Sequence, residues 1–203
     1  LQQMLTHVDY KQVQQNGSDV SIPADVQVDL GGIAKGYTSD RIMQVLADDG
    51  VTSGIVSLGG NVQALGCKPD GSKWRVAVQD PNDEGENFAV VEIADEAVIT
   101  SGGYQRYFED NGRTYHHIID PRTGTPADSG IISSTIISRD GTLADGLSTS
   151  LFIMGVDEAL DYWRAHSDEF DAILMDENGT VYVTDGIADR CSLLEDRKMQ
   201  VVH

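Results

Sequence analysis

Positive charge is scarce in this chain: 203 residues carry 14 Lys and Arg against 33 Asp and Glu, a formal net charge of −19 with histidine neutral. Nucleic-acid surfaces need clustered Lys and Arg, so this balance argues against a nucleic-acid partner. The excess of carboxylates suits a soluble acidic surface. It equally suits a metal-assisted site, in which a divalent cation supplies positive charge for an anionic ligand. Long apolar runs are also missing. LFIMGV, residues 151–156, is far too short to span a bilayer. The opening LQQMLTHVDYKQVQQ lacks the basic start and apolar middle of a signal peptide. Cysteine is limited to Cys67 and Cys191, whose spacing is not that of a metal site; free or paired, they do not fix a redox compartment. Internal repeats and low-complexity linkers are absent. A hydrophobic fraction of 40% and a mean hydropathy of −0.25 exclude both a disordered and a membranous chain.

What is present predicts an α+β domain in which strands outnumber helices and each helix lies between strand clusters. Val8 to Val28 alternates as two short strands around the turn signal QNGSD. Ile33, Ile42, Val45 and Leu46 fall near helical spacing and predict a helix ending by Asp48-Asp49-Gly50. GIVSLGGNVQALG reads as strand, Gly-Gly turn and strand. KWRVAVQDP and FAVVEIADEAVITSG read as strands joined by an acidic loop, Asn82 to Asn87. RTYHHIID and IISSTIIS are β-like. TLADGLSTSLFIMG and VDEALDYWRAHS are helices separated at Gly155, and FDAILMDENGTVYVTDG is a hairpin with Asn-Gly at its tip.

Several short stretches combine residues that can do chemistry. DLGGIAKG, Asp29 to Gly36, places paired glycines before a helix, where backbone groups can approach an anion and Lys35 can hold a phosphate. It has neither Walker nor Rossmann spacing, and a tight turn with an exposed lysine explains it as well. The Gly-Gly of SLGGNVQALG is a hairpin turn or a close-approach loop. In ITSGGYQRYF, Ile99 to Phe108, hydroxyls and open amides precede Tyr104 and Tyr107, which are either ring-stacking groups or core aromatics. In TLADGLSTS, Asp145 and Thr149 are neighbours on one helix face, oxygen donors suited to Mg²⁺. Thr142 with Asp145 also fits a helix capping box. In TYHHIIDPRTGTPA, strand alternation puts His116 and His117 on opposite faces, and Pro121 and Gly124 give the following turn one shape.

Taken together and in order, DLGGIAKGY, SLGGNVQALG, TSGGYQRYF, HHIIDPRTGTP and ADGLSTSLFIMG resemble the segments of the ApbE family, flavin transferases that move FMN from FAD onto a protein. They cover roughly residues 25 to 155. The resemblance implies an ApbE-like, T-fold-related mixed sheet domain with helices packed between strand clusters. Residues 1–203 would form the C-terminal two-thirds of the usual family length. It implies FAD as substrate, Mg²⁺ as cofactor, a Thr or Ser hydroxyl of an acceptor protein as recipient, and AMP as the product released. Acceptors in the family include subunits of membrane redox pumps. The family's enzymes commonly act outside the bacterial cytoplasmic membrane as lipoproteins, and some members hydrolyse FAD to FMN and AMP instead. By the same resemblance, the Gly32 carbonyl, Asp145 and Thr149 are metal ligands, and Lys35, Ser101 and Gly102 contact FAD. His117 stands at the reacting phosphate, and His117 or Asp145 assists loss of the acceptor's proton; a metal-bound Asp145 is the poorer base. His116 is left to packing or solvent.

Two departures stand out. The family usually carries a further N-terminal stretch with FAD contacts, including a Met- and Ser-containing segment without counterpart here. Gly103 stands where the family often has an acidic or amide residue. A Mg²⁺-dependent FMN transferase, a Mg²⁺-dependent FAD pyrophosphatase and a non-catalytic flavin-binding fragment are therefore the three functional expectations.

Overall fold

The computed structural model describes residues 2–194 and 197–203. A short turn of helix, α1 (Gln2–Leu5), precedes a hairpin of β1 (Gln14–Asn16) and β2 (Asp19–Ser21). Helix α2 (Ala34–Asp48) leads into β3 (Gly54–Leu58) and β4 (Asn61–Leu65). Next come β5 (Trp74–Asp80), β6 (Asp83–Ile93) and β7 (Ala97–Ser101). The chain continues through β8 (Tyr107–Asp110), β9 (Arg113–His116), β10 (Ile119–Asp120), β11 (Thr125–Pro126) and β12 (Ile131–Ser138). Helices α3 (Gly141–Met154) and α4 (Val156–Ala165) follow, then β13 (Asp171–Asp176), β14 (Val181–Thr184), β15 (Cys191–Leu193) and β16 (Met199–Val202).

Seven strands form the main sheet in the order β16-β14-β13-β12-β7-β4-β3, antiparallel except for the β14–β16 pair. Successive side chains of a strand point to opposite faces, and here both faces are covered. Ala97, Ile99, Ile136, Ala172 and Leu174 meet Leu147, Leu151 and Phe152 of α3 and Leu160 and Trp163 of α4. Val98, Ile137, Ile173 and Met175 meet Val78, Phe88, Val91 and Ile93 of a three-stranded sheet, β15-β6-β5. The molecule thus has three layers: helices, a mixed sheet and a smaller antiparallel sheet. The expected α+β class holds.

Several local expectations are corrected. The acidic run Asn82 to Asn87 is mostly strand: β6 begins at Asp83, and the turn shrinks to Pro81–Asn82, with the Asp80 carboxylate accepting from the Asn82 N–H at 2.9 Å. The buried face of α2 is Gly36, Ser39 and Met43, whereas Ile33 and Val45 are exposed. Ile42 and Leu46 are half-buried, and the helix adds to Met43 a close backbone approach at Gly36. β9 stops at His116, so His117 lies in a bend before β10. The strands β15 and β16 carry no pattern long enough to have been read from sequence. The Asn178-Gly179 hairpin tip and the Gly155 break (φ 85°) are as expected. Both cysteines are free, and burial pushes the Cys191 thiol up to about 11.

Candidate functional site

Helices α2 and α3 cross where neither has room for a side chain. A Cβ on Gly36 would stand 2.1 Å from the Gly141 carbonyl oxygen and 2.7 Å from the Asp145 Cβ. This approach lets the Gly36 N–H donate to Asp145 Oδ2 at 2.8 Å. In an uninterrupted helix that N–H would take the carbonyl four residues back, that of Gly32. Among the described residues no backbone N–H is bonded to the Gly32 carbonyl. Asp145 itself is 5% exposed, and its Oδ1 accepts from the Asn61 side-chain amide at 3.0 Å. Asn61 in turn accepts from the Lys35 ammonium at 3.2 Å. Lys35, Asn61 and Asp145, far apart in sequence, therefore form one chain of polar contacts.

The capping role that Thr142 and Asp145 suggested belongs to other residues. Asp140 is the N-cap of α3, its carboxylate accepting from the Leu143 N–H at 2.8 Å. Asp40 of α2 takes the remaining first-turn donors, Gly141 N–H at 2.8 Å and Thr142 N–H at 2.7 Å, with the Thr142 hydroxyl at 2.6 Å and the Gln63 amide at 2.8 Å. Burial works to raise the Asp40 pKa. The bonds from Thr142, Gln63 and Gly141 outweigh it and hold the carboxyl below its ordinary value.

One turn beyond Asp145, three hydroxyls form a relay. Ser101 Oγ lies 2.8 Å from Ser148 Oγ and 3.1 Å from Thr149 Oγ1, and Ser148 donates its proton to the Asp145 carbonyl at 2.9 Å. Since each hydroxyl has one proton, all three contacts are satisfied only if Thr149 donates to Ser101 and Ser101 to Ser148. The Thr149 lone pairs then remain available. The donor set of one carboxylate, one hydroxyl oxygen and the Gly32 carbonyl consists of hard oxygen ligands. It fits Mg²⁺, which is held by few protein groups and completes its shell with water and phosphate oxygens. No group of three or more His, Cys, Asp or Glu side chains among the described residues is gathered as a metal site.

His117 is exposed and turned towards β8: its N–H and its Nδ1 both bond the Arg106 carbonyl, at 3.1 and 3.2 Å. A carbonyl only accepts, so Nδ1 carries the proton and, in the neutral ring, Nε2 presents a lone pair. No hydrogen bond among the described residues joins His117 to the Asp145 cluster. His116 is half-buried, bonded through Nε2 to the Ala127 carbonyl at 3.0 Å and set edge-on to Phe152. With Gly103, Tyr104, Tyr107, Ile132 and Phe152 it lines a cavity of 480 Å³. A Cβ at Gly103 would stand 2.8 Å from His116 Cδ2, so a side chain there would displace the imidazole. Gly102 is buried for a similar reason, a Cβ there falling 2.2 Å from the Tyr104 ring.

The turn after His117 is organised by Asp120. Its carboxylate accepts from the Arg122 N–H at 2.8 Å and from the Arg122 guanidinium at 3.0 and 3.1 Å; that guanidinium holds the Asp120 pKa below its ordinary value. The Asp120 carbonyl accepts from the Gly124 N–H at 2.8 Å, and Gly124 has a φ of 71°. Arg122 also donates to the Ile153 carbonyl at 3.3 Å, which ties the turn to the last turn of α3.

Five ordered motifs, three of them meeting around Asp145, carry the comparison with known proteins. A model of the ApbE family matches residues 1–174. The chain belongs to the ApbE family. It is 37% identical to an FAD:protein FMN transferase of Treponema pallidum, over 97% of this chain and 59% of that protein. It is 35% identical to one of Vibrio cholerae, over 77% and 47%. Its fold matches an ApbE protein of Thermotoga maritima with a TM-score of 0.83 at 36% identity, covering 91% of this chain and 60% of that one. The apo flavinyl transferase ApbE of Pseudomonas stutzeri matches with a TM-score of 0.74 at 31% identity, covering 87% and 54%. The chain thus spans about 60% or less of the length of these ApbE relatives.

Within this ApbE chain, Lys35, Asp145, Thr149 and Ser101 are brought into one region, whereas His117 is held separately by Arg106. Asn61, Gln63, Asp40 and Ser148 join these residues without having been named from the sequence. Asn61 and Gln63 lie in SLGGNVQALG and Ser148 in TLADGLSTS, whereas Asp40 lies in no motif.

Proposed function

We propose that the protein containing this chain is a Mg²⁺-dependent FAD:protein FMN transferase that moves FMN from FAD to a Thr or Ser hydroxyl of an acceptor protein and releases AMP. The observation that carries this reading is Asp145, a buried carboxylate whose described partners are an N–H and an amide, beside Thr149 and within one residue's reach of Lys35. Lys35 would bind the FAD pyrophosphate. Asp145, Thr149 and the Gly32 carbonyl would hold Mg²⁺, which neutralises charge developing on the pyrophosphate when bound. Ser101 and Gly102 would line the flavin side of the site. The acceptor oxygen forms a bond to the FMN phosphorus, the pyrophosphate P–O bond breaks, and AMP leaves. His117 Nε2, with Nδ1 committed to Arg106, would take the acceptor's proton.

Water in place of the hydroxyl would yield FMN and AMP, and the same residues serve that hydrolysis. The family resemblance favours acceptors among subunits of membrane redox pumps and a lipoprotein outside the bacterial cytoplasmic membrane; no helix among the described residues is long and apolar enough to cross a membrane.

The test incubates the full-length protein with FAD, Mg²⁺ and an acceptor bearing a Ser/Thr flavinylation motif, following in-gel flavin fluorescence and AMP. Expected are labelled acceptor and equimolar AMP, both lost on chelation and in Asp145→Ala. AMP without label would replace transfer by hydrolysis. An Asp145→Ala protein that still turns over would remove the metal assignment.

A further inference from the structure

Asn61 is the first residue of β4, placed there by a turn whose two glycines, Gly59 and Gly60, both have positive φ (57° and 93°). The residue is 2% exposed, and its side chain stands between two charged groups, neither of which touches the other in any described contact. The orientation of its amide is settled by chemistry. An ammonium only donates and an ionised carboxylate only accepts, so Oδ1 must face Lys35 and Nδ2 must face Asp145. Among side chains of this size, asparagine alone offers a neutral acceptor at one end and a neutral donor at the other.

The consequence lies in what the amide prevents. Lys35 and Asp145 flank a gap that one planar amide fills. Were they in direct contact, the ammonium would occupy Asp145 lone pairs needed by a cation, and its own charge would be compensated before an anionic ligand arrived. With the amide interposed, Asp145 Oδ1 takes one hydrogen bond from Asn61 and Oδ2 one from Gly36. About two of its four lone-pair positions remain open. Lys35 is oriented by a neutral oxygen and keeps its full charge.

We propose that Asn61 is a positioning residue that holds Lys35 and Asp145 apart while orienting both, so that the ammonium stays available to a phosphate and the carboxylate to a divalent cation. This rests on the reading given under Proposed function and adds to it a residue that touches neither reacting group.

The test uses full-length protein without FAD and Mn²⁺ as probe, free Mn²⁺ being read by electron paramagnetic resonance. Asn61→Ala weakens Mn²⁺ binding about 10- to 100-fold, the scale on which groups behind a metal ligand set its affinity, chiefly because the Lys35 ammonium closes on Asp145. Lys35→Ala alone does not weaken it, because in the unsubstituted protein the ammonium bonds the Asn61 amide and not Asp145. Adding Lys35→Ala to Asn61→Ala recovers most of the loss, because the ammonium that closed on Asp145 is gone. A merely structural Asn61 gives no such recovery. Asn61→Ser, which keeps a short polar side chain and still leaves the gap open, is read in the same way should Asn61→Ala melt early. Unchanged Mn²⁺ affinity in the Asn61 variants, or a loss that Lys35→Ala does not relieve, overturns the proposal. Failure of the unsubstituted protein to bind Mn²⁺ overturns the metal assignment itself, and the proposal with it.

Discussion

Asp40 shows how much a single side chain can organise. Its carboxylate gathers two N–H groups and a hydroxyl from the start of α3 and an amide from β4, joining three elements at one point. Its folded-state pKa lies below the ordinary 3.8. The unfolded chain therefore binds more protons in the window beneath that value, and stability rises with pH across it. The Asp40 contribution is complete above the ordinary carboxylate range and is lost as pH falls through the depressed value. Burial raises the pKa of Asp171, which acts with the opposite sign: its contribution is greatest in acid and declines as pH rises through the raised value. The difference between wild type and Asp40→Asn, followed by urea denaturation from about pH 6 to pH 3, isolates Asp40. The two proteins should converge at the acid end and diverge as pH rises. Asp40 had no sequence signal, because its partners lie about a hundred residues away and no periodicity encodes such a meeting. Asp145 and Thr149 had one, since four residues on a helix place two side chains on one face whatever the tertiary structure.

At the scale of elements, the α2–α3 crossing depends on missing side chains. Gly36→Ala drives a Cβ into the Gly141 carbonyl, a backbone atom that cannot rotate away. It should destabilise by about 1–3 kcal/mol or more in thermal or urea unfolding and, on the proposed function, lower the flavin-transfer rate through the displaced Gly36–Asp145 bond. Gly146→Ala on the same helix pair is the control. Its Cβ would first meet Ile33 Cγ2 at 3.5 Å, an ordinary contact, and better helix propensity should make it neutral or stabilising by up to about 1 kcal/mol. The sequence pattern located α2 and its end, but not its closest contact: Ile42 and Leu46 are half-buried and Ile33 and Val45 exposed, while the approach to α3 is made by backbone at Gly36. The acidic Asn82–Asn87 run did mislead: charge suggested loop, yet an antiparallel partner accepts exposed charged residues on its solvent side.

For the whole molecule, burial on both faces of the main sheet is the governing fact. Leu174 and Met175 are consecutive in β13 and fully buried, one against α3 and α4, the other against the β5–β6–β15 layer. Leu174→Ala and Met175→Ala should each cost about 2–5 kcal/mol. A one-faced sheet would make one of them nearly silent. Ile55→Val on the edge strand β3, where the residue is 43% exposed, should fall within about 0.5 kcal/mol of wild type. Sequence reading reached the α+β class because helices and strands were each long enough to show a period. It read β5 and β6 as strands without a means to assign them to a separate layer, and it missed β15, which is three residues long and finds its place through pairing with β6.

Helix α3 is fastened at both ends, by Asp40 and Asp140 at its start and by Arg122, reaching from the Asp-Pro-Arg-Thr-Gly turn, at the Ile153 carbonyl. Between those fastenings it works as a gauge. Asp145 and Ile153 are separated by a fixed number of helical steps, about 12 Å of rise at 1.5 Å per residue. The spacing between the carboxylate and the turn that follows His117 is thus measured out by an element too stiff to be renegotiated. Loops around it can lengthen or drift, but a one-residue insertion inside it would swing Asp145 about 100° around the axis relative to that turn. The tolerance of this protein to change is therefore written in the length of one helix.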